Sequence, residues 1–412
     1  MYILAVNAGS SSLKFALYPF TQNSDFYSPL LSGVIEGLEA SGPLQLHYQN
    51  RDEFAADKAQ LVTTQIHLQP DLSPFQAALQ ALKSLLNEGL EHKQLSAIAH
   101  RVVHGGVWFR ESVIVTQEVL QRLETLHPLA PLHQPHNLQG IRIFSEAFSQ
   151  VPQIACFDTA FHQSLPEKEF LFGLPMTYAE QGIRRYGFHG LSYEYIRSEL
   201  RRLSTRAHQR VVMAHLGNGA SLCAMHEGNS MATTMGFSAV EGLMMGTRSG
   251  ALDPGVLLHL LSEGKSLDDL THLLYKESGL LGISGLSADM RALQHSQQPQ
   301  ARLAIDVFTH RVVREMGAMT ACLSGLDVLV FTGGIGEHDI QLRWEVCHRL
   351  QYLGVVLDPL LNTKAIGDQA IRVDAHDSRV EIWVIPTDEG RMAALSARTL
   401  LEKVKLNQHS KP

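Results

Sequence analysis

Apolar residues along the chain fall into two patterns, short continuous or alternating runs and stretches spaced at three and four residues. The run Tyr2 to Val6 predicts a buried strand that begins almost with the chain. It breaks at Gly9, a residue able to take the positive φ of a tight turn. Apolar positions then alternate at Leu13, Phe15 and Leu17, as in a second strand, which places Ser10, Ser12 and Lys14 together on the opposite face. Residues 20–75 read as strands divided by turns at Gly33, Gly37, Gly42-Pro43, Pro70 and Pro74. Ser73 and Pro74 open a helix in which Ala77, Leu79, Leu82, Leu85 and Leu86 keep helical spacing up to Gly89. A strand over 97–103, helical pieces over 116–126 and 137–148, and a strand over 153–157 follow.

The second half returns to the theme of a strand ending in glycine. Residues 210–225 read as strand, glycine turn and strand, and Ala220-Ser-Leu222 stands where Ser11-Ser-Leu13 stands in the first hairpin, a slender sign of duplication. A helix is expected over 301–323, a strand over 327–331, a helix over 342–353, a strand over 380–385 and a closing helix. Strands alternating with helices, together with hairpins, indicate an α/β protein with mixed sheets. A chain of 412 residues exceeds one comfortable core. Two domains are expected, with a boundary near Val151-Pro152.

Composition narrows the function more than the fold. The chain is 45% hydrophobic and 18% charged, as in soluble globular proteins, and its net charge of -7 offers no basic surplus for nucleic acid or a membrane surface. A phosphate ligand would have to be held by local constellations. Cys156, Cys223, Cys322 and Cys347 have no CxxC pairing and read as small core residues in a reducing compartment. No run approaches the ~20 apolar residues of a membrane span. The start lacks a basic n-region with a long apolar stretch. A cytoplasmic location is expected.

Three strand-terminal turns carry the candidate chemistry: Asn7-Ala-Gly-Ser10, Leu216-Gly-Asn-Gly219 and Thr332-Gly-Gly-Ile-Gly336. Glycines there let backbone N–H groups approach phosphate oxygens. None is a GxxxxGK[ST] loop or a GxGxxG opening a helix, which disfavours a Walker A or Rossmann site. Arg101 in His100-Arg-Val-Val-His-Gly-Gly106 and Arg248 in Glu241-Gly-Leu-Met-Met-Gly-Thr-Arg-Ser-Gly250 suit bidentate holding of carboxylate or phosphoryl oxygens. Asp158 follows a strand in Phe157-Asp-Thr-Ala-Phe-His162. His189 lies between glycines before a helix whose expected N-cap is Ser192, and Glu389 lies just beyond the last strand. His133, His136, His162 and His189 lack zinc spacing. Plain tight turns and salt-bridged loop arginines remain open as alternatives at this stage.

These blocks, with Asn7-Ala-Gly-Ser-Ser-Ser-Leu-Lys14, Ala130-Pro-Leu-His133, Tyr186-Gly-Phe-His-Gly190 and His215-Leu-Gly-Asn-Gly-Ala-Ser221, stand in an order that resembles the acetate kinase family of the actin-like and sugar-kinase superfamily. The resemblance spans nearly the whole chain. It implies two ribonuclease H-like domains facing a cleft, with 1–150 plus 394–412 in one and 151–393 in the other, and closure of that cleft to exclude water. The implied reaction is reversible transfer of the ATP γ-phosphoryl to acetate, giving acetyl phosphate and ADP with Mg²⁺, or with Mn²⁺ in its place. A propionate or butyrate kinase is the alternative within the family, and a non-catalytic ATP-binding regulator the alternative outside it.

By position the resemblance makes Asn7 and Glu389 metal-site residues, and Asp158, Arg101, Arg248, His189 and His133 catalytic residues. Lys14, Ser10, Ser12, His215, Leu216, Gly217, Asn218, Gly219, Asp289, Met290, Arg291, Gly334, Ile335, Gly336, Glu337 and His338 become nucleotide-contacting residues. Arg101, Val103, Leu132 and Ala239 line the acyl pocket. A homodimer is implied as well. Three departures stand out. His338 replaces the family's frequent Asn; Ala239 replaces a proline, which leaves room for propionate; and Gly390 stands where a second acidic residue is common.

Overall fold

The computed structural model describes residues 2–9, 11–19, 28–38, 43–50, 61–68, 72–90, 94–131 and 133–409. Ser10 and Leu132 of the expected site lie outside the described residues. The chain forms two units, Met1–Ala160 with Asp388–Pro412, and Phe161–Thr387. The expected boundaries at 150 and 394 differ from these. Pro152 looks like a break in sequence, yet its carbonyl accepts from the Ile98 amide at 2.9 Å. The strand it introduces therefore pairs with the first sheet rather than opening a second.

In the first unit, β1 (Tyr2–Ala8), β2 (Ser12–Pro19), β3 (Leu31–Glu36), β4 (Leu44–Asn50) and β5 (Leu61–Ile66) form an antiparallel meander. After α1 (Pro74–Leu90) come β6 (Leu95–Val102), β7 (Val113–Ile114), α2 (Gln117–Glu124), α3 (Gln134–Ala147) and β8 (Gln153–Phe157). The sheet order is β5-β4-β3-β2-β1-β6-β8-β7, with β1, β6 and β8 parallel. β1 is covered on both faces, which is why its apolar run does not alternate, whereas β2 buries only Leu13, Phe15, Leu17 and Tyr18 beneath an exposed Lys14. Gly140 lets α3 close on β1, since a Cβ there would meet the Ala8 Cβ at 2.8 Å. The closing helix, Glu389–His409, buries the small residues Ala393, Ala394 and Ala397. One expectation fails at the first turn: Gly9 does not take positive φ, and the turn closes through Gly9 N–H to the Ser12 carbonyl at 2.9 Å.

After two short helices, Glu167–Phe170 and Met176–Glu180, the second unit forms α4 (Gly190–Leu203), β9 (Val211–Leu216), β10 (Ala220–His226) and β11 (Asn229–Thr233). It continues with α5 (Pro254–Ser262), α6 (Met290–His295), α7 (Pro299–Cys322), β12 (Val328–Thr332), α8 (Gly333–His338), α9 (Ile340–Arg349) and α10 (Pro359–Lys364). It ends with β13 (Ile371–Arg372) and β14 (Glu381–Val384). Its sheet runs β11-β10-β9-β12-β14-β13. The segments β3-β2-β1-β6-β8 and β11-β10-β9-β12-β14 share one plan: a hairpin extended by a third antiparallel strand on one side, two parallel strands on the other. This is the ribonuclease H-like layout, used twice, as in actin-like ATPases. Arg343, fully buried, ties the end of α8 to α10, donating to the carbonyls of Gly336, Glu337, Asn362 and Ala365 and to Asn362 Oδ1. Cys322 is exposed, contrary to the reading of all four thiols as core, because α7 turns that edge outward at its last residue.

Buried imidazoles couple both units to pH. Burial pushes His100 down to about 4 despite its 2.7 Å bond to Gln153, His104 to about 3, and His162 to about 4. Unfolded histidines titrate near 6.5, so the unfolded chain binds more protons below that value and stability falls as pH drops from 6.5 toward 4. Asp158, held at about 6, acts in the opposite sense as the pH falls through that value. Lowering the pH from 7.5 to 6 is expected to cost about 2 kcal/mol in all. A thermal midpoint lower at pH 6 is predicted; one unchanged or higher at pH 6 would contradict the burial argument.

Candidate active site

The parallel strands of the first unit end side by side. Val6 pairs with His100, and Arg101 and Val102 pair with Cys156 and Phe157. Asn7, Arg101 and Asp158 therefore lie at the carboxyl ends of three neighbouring strands, where α/β sheets gather their ligands. The Arg101 guanidinium engages Asp158 through Nη2 at 2.6 Å and Nε at 3.1 and 3.2 Å, which fixes its plane. Glu389, the first residue of the closing helix, brings a second carboxylate to 3.5 Å from Nε. Burial, with Glu389 adding to it, pushes Asp158 up to about 6 against the pull of Arg101. Arg101 itself, although burial opposes its charge, is held firmly protonated by the two carboxylates.

Asn137 supports this cluster. Its Oδ1 accepts from the Val103 amide at 3.0 Å and its Nδ2 donates to the Ala8 carbonyl at 2.8 Å, so one side chain joins the ends of β1 and β6. Asp388 accepts from the Tyr18 hydroxyl and the Arg391 amide, each at 2.8 Å. Gly390 follows from that packing, since a Cβ there would approach the Tyr18 hydroxyl at 2.9 Å. Lys14 pairs with Asn7 across the hairpin and is exposed, Ser12 faces the same side, and His133 sits at the start of α3.

In the second unit His189 occupies the left-handed region, φ 58°, and itself takes the N-cap position of α4. Ser192, expected there, lies inside the first turn and uses its hydroxyl elsewhere. Gly187, at φ 74°, precedes this bend; a Cβ on it would strike the His162 ring at 2.6 Å. His162 Nε2 donates to the Phe188 carbonyl at 2.9 Å and its Nδ1 faces Ser230 Oγ at 2.8 Å, so His162 braces the backbone next to His189. The His189 ring stacks on His215, with centroids 4.2 Å apart and planes 22° apart. His189 Nε2 lies 3.3 Å, and Arg248 Nη1 3.8 Å, from the point a Cβ on Gly219 would occupy, so the Gly219 backbone lies open between them. Arg248 Nη1 also donates to the Ala239 carbonyl at 3.0 Å, which places Ala239 beside the guanidinium. Leu216, Gly217 and Asn218 form the turn, whose Asn218 carbonyl accepts from Gly246 at 3.0 Å.

The remaining expected contacts are more varied. Asp289 caps α6 and pairs with Arg291 at 2.9 Å, with Met290 buried behind them; hydrogen bonding from Arg291 holds Asp289 down at about 2. Gly334, Ile335 and Gly336 run through α8, and His338 Nδ1 donates back to the Gly334 carbonyl at 3.1 Å. Glu337 Oε1 accepts from the Gly333 amide at 2.7 Å and the Thr387 amide at 3.0 Å, which binds the turn to the end of β14. Sequence reasoning passed over Asn137, Tyr193, Ser221 and Thr387. The repeat held a signal for one of them, since Ser221 stands where Ser12 stands in the first hairpin.

The chain matches the Acetokinase family model over residues 2–395. It is 48% identical over 396 residues to the acetate kinase of Rhodopseudomonas palustris (strain ATCC BAA-98 / CGA009), covering 95% of this chain and 96% of that one. It is 44% identical over 409 residues to the acetate kinase of Methylocella silvestris, covering 98% of each. Among solved structures it is similar to Porphyromonas gingivalis acetate kinase, with a TM-score of 0.85 at 35% identity over 97% of this chain and 99% of that one. It is also similar to a propionate kinase from Francisella tularensis, with a TM-score of 0.85 at 34% identity over 96% and 98%. The span of the family model takes in every strand of both sheets, and the chain belongs to the acetokinase family.

Proposed function

We propose that this protein reversibly transfers the γ-phosphoryl group of ATP to acetate, giving acetyl phosphate and ADP. The observation that carries this reading is the Arg101 guanidinium, fixed in plane by Asp158 at the ends of parallel strands, in a chain of this family. Acetate is ionised at neutral pH and needs no strong base. Its oxygen attacks the γ-phosphorus; the new O–P bond forms as the bond to the β,γ-bridging oxygen breaks, and ADP leaves with that oxygen. The difficulty is bringing two anions together, which is met by positioned positive charge and N–H donors. By the family resemblance, Arg101, Arg248, His189 and His133 are assigned to the reacting groups, and Val103, Leu132 and Ala239 to the acyl chain. Ala239 is small, so propionate is a weaker second substrate, a methylene being worth only ~1–3 kcal/mol in such a pocket.

The donor set also suits a hard divalent cation: two carboxylates, Asp158 and Glu389, share one guanidinium, and Asn7 adds an amide oxygen at the same strand ends. Asn7 and Glu389 are the residues assigned to hold Mg²⁺ or Mn²⁺, which supplies charge neutralisation on the phosphate chain. Lys14, Ser10 and Ser12, the turn His215 to Gly219, Asp289 to Arg291 and Gly334 to His338 are assigned to ATP. No helix among the described residues is long and apolar enough to cross a membrane. A homodimer is favoured by α5, which buries none of its residues and exposes Leu258 at 68% and Leu261 at 48%.

Two outcomes test this. Purified protein with ATP, Mg²⁺ and acetate should give hydroxamate on trapping with hydroxylamine, and Arg248→Ala should lower that turnover by about 10²-fold or more with the far-UV spectrum unchanged. No hydroxamate above an enzyme-free control refutes the activity, and an unaffected Arg248→Ala refutes that residue's role. Light scattering should show a dimer that Leu258→Glu converts to monomer; a dimer indifferent to the substitution removes α5 from the interface.

A further inference from the structure

Two chains of hydroxyl groups end on the two stacked imidazoles of the second unit. On one, Thr387 Oγ1 donates to Ser192 Oγ at 2.9 Å, and Ser192 Oγ lies 2.8 Å from His215 Nδ1. Ser192 Oγ accepts a hydrogen bond from Thr387, so its own hydroxyl hydrogen is directed to His215 Nδ1. A ring nitrogen that accepts is unprotonated in the neutral imidazole, and the proton then resides on Nε2. On the other, Tyr193 OH and Ser221 Oγ are 2.5 Å apart, and Ser221 Oγ lies 2.9 Å from His189 Nδ1. The main chain of His215 also hydrogen-bonds the Tyr193 phenol, which is fully buried and kept protonated by that burial. Its proton goes to Ser221, and the Ser221 proton to His189 Nδ1.

The strand register builds this arrangement. Ser221 pairs directly with His215 across β9 and β10, and His215 pairs with Thr332 across β12, so the two side chains of the first pair share a face. Tyr193 and Ser192 come from the first turn of α4, immediately after His189. Ser192, Ser221 and Tyr193 are fully buried, and the Tyr193–Ser221–His189 chain lies wholly in the interior, whereas Thr387 and His215 are half-buried. Four hydroxyls are thus aligned in two chains, each ending on an Nδ1 atom.

We propose that the relays Tyr193–Ser221 and Thr387–Ser192 are positioning elements that lock His189 and His215 as Nε2–H tautomers, so that both neutral rings act as hydrogen-bond donors toward an anionic phosphoryl group. The catalytic use of the rings rests on the acetate kinase reading; the tautomers do not. An imidazole in the other tautomer would turn a lone pair toward the anion at Nε2, and His189 Nε2 is the atom that lies against Gly219 beside Arg248. Stacked neutral donors also avoid the repulsion of two stacked imidazoliums.

The test is ¹⁵N NMR of histidine-labelled protein near pH 8, with resonances assigned by the spectra of His189→Gln and His215→Gln. Both rings should show a pyrrole-like Nε2 and a pyridine-like Nδ1. Ser221→Ala should move His189 to the other tautomer or to a mixture while His215 keeps its shifts, and Ser192→Ala should do the reverse. Tyr193→Phe provides a milder variant that frees the Ser221 hydroxyl to rotate and should broaden or mix the His189 signals. Under the catalytic reading, Ser221→Ala should lower kcat about tenfold or more with KM for ATP and acetate nearly unchanged, and Ser221→Thr should restore it. Nδ1–H rings in the wild type, or tautomers unmoved in both variants with serine replaced, overturn the relay. Tautomers that move with no change in kcat bear out the relay and overturn the catalytic use of the rings instead.

Discussion

One guanidinium between two carboxylates sets the terms for the first unit. Arg101 keeps only 23% of its side chain exposed, and Asp158 1%. Charges so placed lose much of their hydration, and the mutual attraction offsets that loss only with good geometry. The geometry here is the planar fork of Arg101 on Asp158, with Glu389 on the flank. Removing the arginine would leave two neighbouring carboxylates in a poorly hydrated place. The same imbalance, two negative groups for one positive, is what the proposed divalent cation would offset. Stability and proposed chemistry thus depend on one contact.

The sheets make that contact possible at little cost in irregular backbone. Parallel strands in register deliver Asn7, Arg101 and Asp158 to one edge, and Asn137 fastens the strand ends through their backbone. The second unit repeats the plan with different chemistry. At the corresponding edge it sets His215 beside Thr332 and brings in His189 from a left-handed bend that His162 braces. One layout therefore yields an anionic, arginine-centred array and an array of imidazoles and hydroxyls.

How much of this the sequence discloses depends on the range of the interaction. Strand-and-glycine segments are legible because hydrophobic runs and turns are local; β1, β2, β9, β10 and β12 all appear near their expected places. Arg101 and Asp158 stand out because they are charged residues at the ends of buried strands. Reading failed where a partner far along the chain decides. Gly9 turns without positive φ because the Ser12 carbonyl closes the loop. Ser192 is not a cap because His215 and Thr387, 23 and 195 residues away, claim its hydroxyl. The strand 153–157 belongs to the first sheet because β6 recruits it, which no composition shift reveals. The helices between 254 and 295 escape notice because α5 has leucines exposed to the outside, so no polar face marks its period.

In the proposed reaction Arg101 acts through its fork and not through charge alone. Arg101→Lys keeps the positive charge but cannot grip Asp158 in a plane while staying beside Glu389. The most direct test is kcat of that variant at saturating acetate and Mg²⁺-ATP. The geometry predicts a fall of about 10²-fold or more with the protein still folded, and a kcat within about threefold of the unsubstituted protein, a difference of less than ~1 kcal/mol, would contradict it.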